Sequence, residues 1–213
     1  MTLSAQAEEI LSDFADGPKF GEIKKRGKAI KKDHDLATEL WSTGRYHARL
    51  LSALIFDKKL LSESVIEGLA SDLLAHEGDE RATLSDWLLA NQLTKDKKLI
   101  ALLETWHESP LPMLRRWFWY YQARLRWTGR MPPPANSADL LDVLESSLAG
   151  EDPDVQWAMN FCACQIGVFE PELRSRCVKL GKDVGLYKDD KVAKNCTPQY
   201  LPEFIRIEVA KRQ

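Results

Sequence analysis

The chain has 213 residues, 44% hydrophobic and 29% charged, a composition typical of a folded protein and unlike that of a disordered one. A formal net charge of −2 excludes a polycation, so any affinity for nucleic acid requires basic residues gathered on one face. No apolar run approaches the length of a membrane span, and the N-terminal MTLSAQAEEILSDF lacks the pattern of a secretory signal. We therefore expect a cytoplasmic protein with no membrane partner.

Helical spacing dominates the chain from its first segment. Apolar residues recur three and four positions apart in AEEILSDF, RLLSALIF, SVIEGLASDLLA, SDWLLANQL and ADLLDVLESSLA. No run alternates as a strand does, so no β-hairpin is predicted. Ser109-Pro110, Asp152-Pro153 and Thr197-Pro198 each place a capping residue before a proline and predict helix starts. The pattern predicts an all-α protein.

Successive helix pairs recur at intervals of roughly 35 to 45 residues, as in HEAT-like repeats. We predict an α-α superhelix, or solenoid, of degenerate repeats that forms a single domain over residues 1–213. The prolines of TGRMPPPANS interrupt the helical pattern near residues 130–136. This segment could divide two domains, but we favour a loop between two helix pairs of one continuous array.

The four cysteines are Cys162, Cys164, Cys177 and Cys196. The one C-x-C places its two thiols about 200° apart on a helix, where they cannot easily share a metal ion. Reduced and partly buried thiols of a cytosolic protein fit this spacing better than a disulfide framework. No glycine-rich phosphate loop, metal-binding His-Glu helix or nucleophile-base triad is present, so we expect neither metal nor cofactor.

The segment KFGEIKKRGKAIKK, residues 19–32, contains seven basic residues and one acidic one. It is either a solvated helix face or part of a nucleic-acid-binding surface. Lys24, Lys25 and Arg26 are its candidate phosphate ligands.

The segment LPMLRRWFWYYQARLRW, residues 111–127, has four arginines and six aromatic residues. On a helix, Leu114, Phe118, Tyr121 and Leu125 form one apolar line. Arg115, Trp119, Gln122 and Arg126 form a second line, and Arg116, Tyr120, Ala123 and Trp127 form a third. Arginines and aromatic rings suit phosphates and stacked bases, but they also pack against each other inside proteins, so both interpretations stay open. The candidate nucleic-acid ligands are Arg115, Arg116, Trp119 and Arg126.

Several stretches, in this order, resemble the AlkD-like family of HEAT-like DNA alkylation repair proteins. They are GPKFGEIKKRGKAIKK, LATELWSTGRYHARLLSALI, TLSDWLLANQL, LLETWHESPLPMLRRWFWYYQARL, EDPDVQWAMNFCACQIGVFEPEL and DKVAKNCTPQYLPEFIRIEVAKR. The resemblance covers nearly the whole chain. It implies a solenoid that cradles double-stranded DNA in a basic concave groove, and we expect a monomer. Active members of the family are glycosylases that excise cationic 3- or 7-alkylated purines.

The resemblance assigns roles to individual residues. Asp86 in TLSDW matches the family's catalytic aspartate, which stabilises the cationic sugar and positions water. Arg116 in MLRRW matches an arginine that contacts DNA near the lesion. Asp86 also has the spacing of a capping box with Thr83, which would give it a purely structural role.

Three positions depart from the family's pattern. Ala82 stands where a tryptophan precedes the aspartate, Phe161 replaces a second tryptophan, and Cys164 replaces an arginine. The base-contacting candidates are therefore Phe161, with Trp157 and Trp87 as neighbouring alternatives.

Three functions remain open after these departures. The first is a DNA-binding protein that excises alkylated purines. The second is a non-catalytic relative that recognises unusual DNA structures, and the third is a helical-repeat scaffold for other proteins. The protein is an enzyme only if the first of these functions, excision of alkylated purines, is the correct one.

Overall fold

The computed structural model describes residues 3–212, apart from the side chain of Pro134, and this range contains helices and no strands. The predicted all-α class is confirmed. The α-helices are α1 (Ala5–Asp13), α2 (Phe20–Ile30), α3 (His34–Ser42), α4 (Tyr46–Ile55), α5 (Glu63–Leu73), α6 (Gly78–Asn91), α7 (Lys97–Leu103), α8 (Pro112–Trp127), α9 (Pro134–Ser147), α10 (Pro153–Phe169), α11 (Arg174–Val184) and α12 (Leu201–Ala210). Short 3₁₀ segments occupy Lys58–Leu60, Leu93–Lys95, Trp106–Glu108 and Leu148–Gly150.

The chain forms two compact units that divide between Leu114 and Arg115, inside α8. The division does not fall at the proline segment near residues 130–136, which lies within the second unit. The single domain over residues 1–213 stays a prediction.

Helix α4 is the centre of the first unit. It packs against α2, α3 and α6, while α5 lies on α6 and α1 lies on α3. Buried residues occupy all sides of α4, among them Leu50, Leu51 and Ile55, as expected for a helix surrounded by others. Gly27 of α2 permits the close approach to α4, because a Cβ there would lie 2.9 Å from Cδ1 of Leu54.

Helix α10 has the same place in the second unit, where it packs against α9, α11 and α12. Asp152 accepts a hydrogen bond from the backbone N–H of Asp154 at 2.9 Å, and Pro153 opens the helix, which confirms that predicted start. A Cβ at Gly167 would collide with Ile205 of α12, so glycine is required for this packing.

The other two predicted helix starts are wrong. Helix α8 begins at Pro112, and the Ser109 hydroxyl accepts from the backbone N–H of Leu111 in the turn before it. Helix α12 begins at Leu201. The Thr197 hydroxyl caps no helix and instead donates to a carboxylate oxygen of Glu208 at 2.8 Å.

A buried ion pair joins α8 to the end of α10. Nε of Arg126, a residue with no exposed surface, donates to Glu170 at 2.7 Å. The same guanidinium donates to the backbone oxygen of Gln122 and to the side chains of Asn136 and Ser137. Ser137 in turn donates to Glu170 at 2.7 Å. Because α9 begins at Pro134, the network also fixes the end of the proline segment.

All four cysteines are free thiols. Cys162, Cys164 and Cys177 are buried, and Cys196 is exposed. Burial raises the pKa of the Cys162 and Cys177 thiols to about 12, so both remain protonated at neutral pH. Within residues 3–212, no helix combines the length and hydropathy that a bilayer span requires.

Replacing Arg126 with Met should lower the free energy of unfolding by about 3 to 5 kcal/mol, because it leaves the Glu170 carboxylate buried without its cation. Urea denaturation followed by circular dichroism would measure this loss. The matched control is Arg176→Met, which breaks the partly exposed bridges to Asp142 and Glu145 and should cost about 1 kcal/mol or less. Equal losses in the two variants would contradict the role given to Arg126.

Candidate nucleic-acid interface

The sides of α8 differ from the sequence-based expectation. On the predicted apolar line Leu114, Phe118 and Tyr121 are buried, whereas Leu125 is half-buried. The predicted arginine-aromatic lines are largely buried as well: Arg116 and Trp119 are each only 2% exposed, and Arg126 is fully enclosed. These three residues do not lie at the surface, so we do not retain them as DNA contacts.

The arginines of α8 are bound within the second unit. Arg115 forms a bidentate ion pair with Glu151, in which Nη2 donates to Oε1 at 2.6 Å and Nε donates to Oε2 at 3.1 Å. Arg116 stacks 4.8 Å above the Trp157 ring and donates to the backbone oxygen of Asp154. Guanidinium groups pack well on aromatic faces, and here that preference serves internal structure.

Four aromatic side chains form a partly exposed group on the second unit, which we call the ring cluster. Its members are Tyr120, Trp127, Trp157 and Phe161. Phe161 lies at the centre: it stacks on Trp157 at 5.4 Å, and Tyr120 and Trp127 meet it edge-on. Trp127 is 49% exposed and carries the Arg124 guanidinium 5.4 Å above its ring. The cluster thus combines one exposed ring, three half-buried rings and a cation.

Asp86 lies in the interior of α6, which begins at Gly78. The interpretation of Thr83 and Asp86 as a capping box is therefore wrong, because both residues lie more than one turn inside the helix. The Thr83 side chain is instead hydrogen-bonded to Tyr46, whose phenol pKa is raised by burial. Asp86 is half-buried, and its carboxylate has no part in starting the helix.

Trp87, the residue after Asp86, connects α6 to the basic helix α2. Its ring packs edge-on against Phe20 at 5.5 Å, and Nζ of Lys24 lies 5.4 Å from its centroid. Asn91 donates a hydrogen bond to the backbone oxygen of Trp87 at 2.8 Å. The first unit therefore places an exposed lysine and the Phe20 ring beside the helix that carries Asp86 and Trp87.

Helix α2 and the residue after it carry four lysines, which we call the α2 lysine face: Lys24, Lys25, Lys28 and Lys31. Lys24, Lys28 and Lys31 line one cleft, whereas Lys25 lines another beside acidic residues of the first unit. All four are exposed, and among residues 3–212 no carboxylate forms an ion pair with any of them. Arg26 differs from this row, because Glu9 holds it at 2.7 Å and Asp13 lies at 3.7 Å. Its charge is largely neutralised within the first unit.

A cleft of about 430 Å³ lies between α2, α4 and α6. Three members of the α2 lysine face line it, together with Leu54 and Asn91. Ammonium groups around an open cleft focus positive potential and attract anions such as phosphates. In the described part of the chain, no three histidine, cysteine or acidic side chains converge as metal ligands would.

The sequence-based candidates that are at least partly accessible fall into two sets, one on each unit. Lys24, Lys25 and Trp87 lie at or near the surface of the first unit, and Trp157 and Phe161 belong to the ring cluster. The exposed position of Trp127 was not predicted, although Trp127 ends α8 two residues before Gly129, and glycine commonly follows a helix. That helix-end signal could have identified it as the least enclosed ring of α8.

Three comparisons bear on identity. The family model described as "DNA alkylation repair enzyme" matches residues 17–182. A solved structure described as "A new family of proteins related to the HEAT-like repeat DNA glycosylases with affinity for branched DNA structures" has a TM-score of 0.68 and 22% identity, and the match covers 98% of this chain and 89% of that one. It confirms the HEAT-like helical fold. No curated protein matches significantly.

Proposed function

The chain belongs to the family of DNA alkylation repair enzymes, and from this premise we propose that it binds double-stranded DNA and excises cationic alkylated purines. The observation that carries the proposal is the position of Asp86, half-buried in the middle of α6 and without a capping role. The exposed Lys24 lies beside the next residue, Trp87, so the carboxylate-bearing helix adjoins a basic surface.

Asp86 is the proposed catalytic carboxylate. An alkylated purine carries a positive charge, so when its glycosidic C–N bond breaks, the electron pair leaves with the base and the base departs neutral. The sugar then acquires the positive charge, which a nearby carboxylate stabilises. Water adds to the sugar carbon, and the carboxylate or solvent accepts its proton. This chemistry requires neither a metal nor a cofactor.

The ring cluster is the proposed contact for a base. Aromatic faces attract cations, so the cluster that contains Trp157 and Phe161 suits a positively charged purine better than a neutral one. Trp127 is its most exposed ring, since Arg116 and Phe161 already lie against Trp157. Stacking on a ring also tolerates any base, because every base has a flat π face. Trp87 is the corresponding ring beside Asp86 on the first unit.

The α2 lysine face is the proposed phosphate-binding surface. Lysines act as point charges that hold the backbone without selecting sequence, as expected for a protein that searches DNA for damage. We infer further that the protein acts as a monomer in the cytoplasm, in accord with its buried thiols.

Replacing Lys28 with Gln should weaken duplex binding several-fold and reduce the slope of log affinity against log salt by about 0.9, because one phosphate contact is lost. Fluorescence anisotropy at several salt concentrations would measure both. Arg26→Gln is the matched control on the same helix; it should change the slope much less, since Glu9 already neutralises Arg26. An equal effect of the two substitutions would contradict the assignment.

Replacing Asp86 with Asn should reduce the release of 7-methylguanine from alkylated DNA about a hundredfold or more, because the sugar cation loses its counter-charge. Duplex affinity should change by less than about twofold, since a carboxylate makes no favourable contact with phosphates. Chromatography of the released base under single-turnover conditions would measure the loss. Asp79→Asn, an exposed change in the first turn of α6, is the control and should retain full activity. Undiminished release by the Asp86 variant would refute the catalytic role.

The second candidate function is binding of branched or bent DNA without excision. Ala82 favours it, because the helix of Asp86 offers no aromatic ring one turn before the carboxylate. The solved structure of similar fold belongs to proteins described as having affinity for branched DNA structures. Steep salt dependence of binding without any base release by the unmodified protein would select this function. An absence of duplex binding at moderate salt would select a protein-interaction scaffold.

A further inference from the structure

A short sequence occurs twice in the first unit. Asp57-Lys-Lys-Leu-Leu and Asp96-Lys-Lys-Leu-Ile begin 39 positions apart, an interval that suits one helical repeat. The first copy opens the 3₁₀ segment Lys58–Leu60, and the second opens α7. The two copies therefore start short helical segments in the same way.

Both copies line one cleft of about 930 Å³. Four lysines contribute to its walls, and we call it the lysine cleft: Lys58, Lys59, Lys97 and Lys98. Lys58 is half-buried, and the other three lysines are exposed. Among the residues that the structure describes, no carboxylate forms an ion pair with any of the four.

Neither aspartate forms an ion pair with these lysines, although Asp96 lines the same cleft and the Lys59 charge acts on the Asp57 carboxylate. Asp57 accepts from the backbone N–H of Lys59 at 3.1 Å, and Asp96 accepts from that of Lys98 at 2.9 Å. Asp57 also binds Nζ of Lys32 at 2.8 Å, and these hydrogen bonds hold the pKa of its carboxyl below the ordinary value. Each repeated motif thus turns its carboxylate towards the backbone and leaves two ammonium groups for solvent or a ligand.

The Lys32–Asp57 bridge also joins the two basic regions of the first unit. Lys32 follows the α2 lysine face, and Asp57 opens the first wall of the lysine cleft. The backbone N–H of Asp33 bonds to the backbone oxygen of Ile55 at 2.9 Å in the same place. The two basic regions are therefore neighbours in the first unit.

We propose that the lysine cleft binds the phosphodiester backbone of DNA and extends the contact made by the α2 lysine face. The inference rests on the proposed DNA-binding function. Four ammonium groups around one cleft, none of them in an ion pair with a described carboxylate, match the dense negative charge of a DNA backbone. Lysines carry charge without the forked geometry that reads a base edge, so the cleft contacts phosphates and leaves sequence unread.

The test compares the Lys59→Glu/Lys98→Glu variant with the unmodified protein. Each is titrated by fluorescence anisotropy with a linear duplex and with a four-way junction of the same sequence, over a range of salt concentrations. The cleft variant should bind about tenfold more weakly and show a salt slope reduced by about two, because two phosphate contacts are lost. A loss on both probes, or on the junction alone, supports the cleft as a backbone site.

Two further variants serve as controls for the change of net charge and for the charge reversal. Lys182→Glu/Lys188→Glu makes the same change of net charge on exposed lysines of the second unit and should bind like the unmodified protein. Lys59→Gln/Lys98→Gln removes the charges without reversing them and should lower the salt slope similarly. Thermal melting followed by circular dichroism would verify that all variants are folded. If the Lys59→Glu/Lys98→Glu variant is unfolded, the Lys59→Gln/Lys98→Gln variant decides the outcome.

The inference fails if the cleft variants bind both DNA probes with unchanged affinity and slope, or if the second-unit control loses as much. It also fails if a fluorescent polyglutamate peptide loses its binding in the cleft variant while DNA does not, which would assign the cleft to an acidic protein. Absence of DNA binding by the unmodified protein would refute the proposed function itself. Normal DNA binding with an inert cleft would refute only this extension.

Discussion

The guanidinium of Arg126 dictates how the second unit is assembled. A buried cation without partners would destabilise the fold by several kcal/mol, so each of its donors must meet an acceptor. Glu170, Asn136 and Ser137 supply side-chain acceptors from the end of α10 and the start of α9, which ties both to α8. The helix that carries Tyr120 and Trp127 is thereby fixed beside the one that carries Trp157 and Phe161.

Other arginines also have internal partners, which reduces the number of cations available to a ligand. Arg115 and Arg116 also have internal partners in the second unit, Glu151 and the Trp157 ring. On the first unit Arg49, only 5% exposed, stacks on Trp41 and donates to backbone oxygens. Arginine, with a broad and weakly hydrated head, suits such interior positions, whereas lysine keeps a compact, hydrated charge at the surface. In a chain of net charge −2, the exposed lysines of the first unit are the groups that we propose hold phosphates.

Much of the fold could be predicted from the sequence, because apolar residues three and four apart describe helices such as α4 and α5 with little ambiguity. The sides of α8 could not be predicted, since a guanidinium beside a ring packs equally well inside a protein or against DNA. Thr83 and Asp86 have the spacing of a cap, but the helix begins at Gly78, five residues before Thr83, where Asp79 and Glu80 are a weaker start signal and no side chain caps the helix. The lysine cleft could not be predicted from the sequence, since its two motifs are far apart in the chain and only the packing of successive repeats brings them together.

The central claim is that lysines of the first unit hold the DNA backbone, and lysine acetylation in the presence and absence of duplex DNA tests it most directly. Mass spectrometry would report the reactivity of each lysine. We predict strong protection of Lys24, Lys28 and Lys31 by DNA, with Lys182 and Lys188 of the second unit unchanged. Protection of the second-unit lysines with undiminished reactivity on α2 would contradict the account.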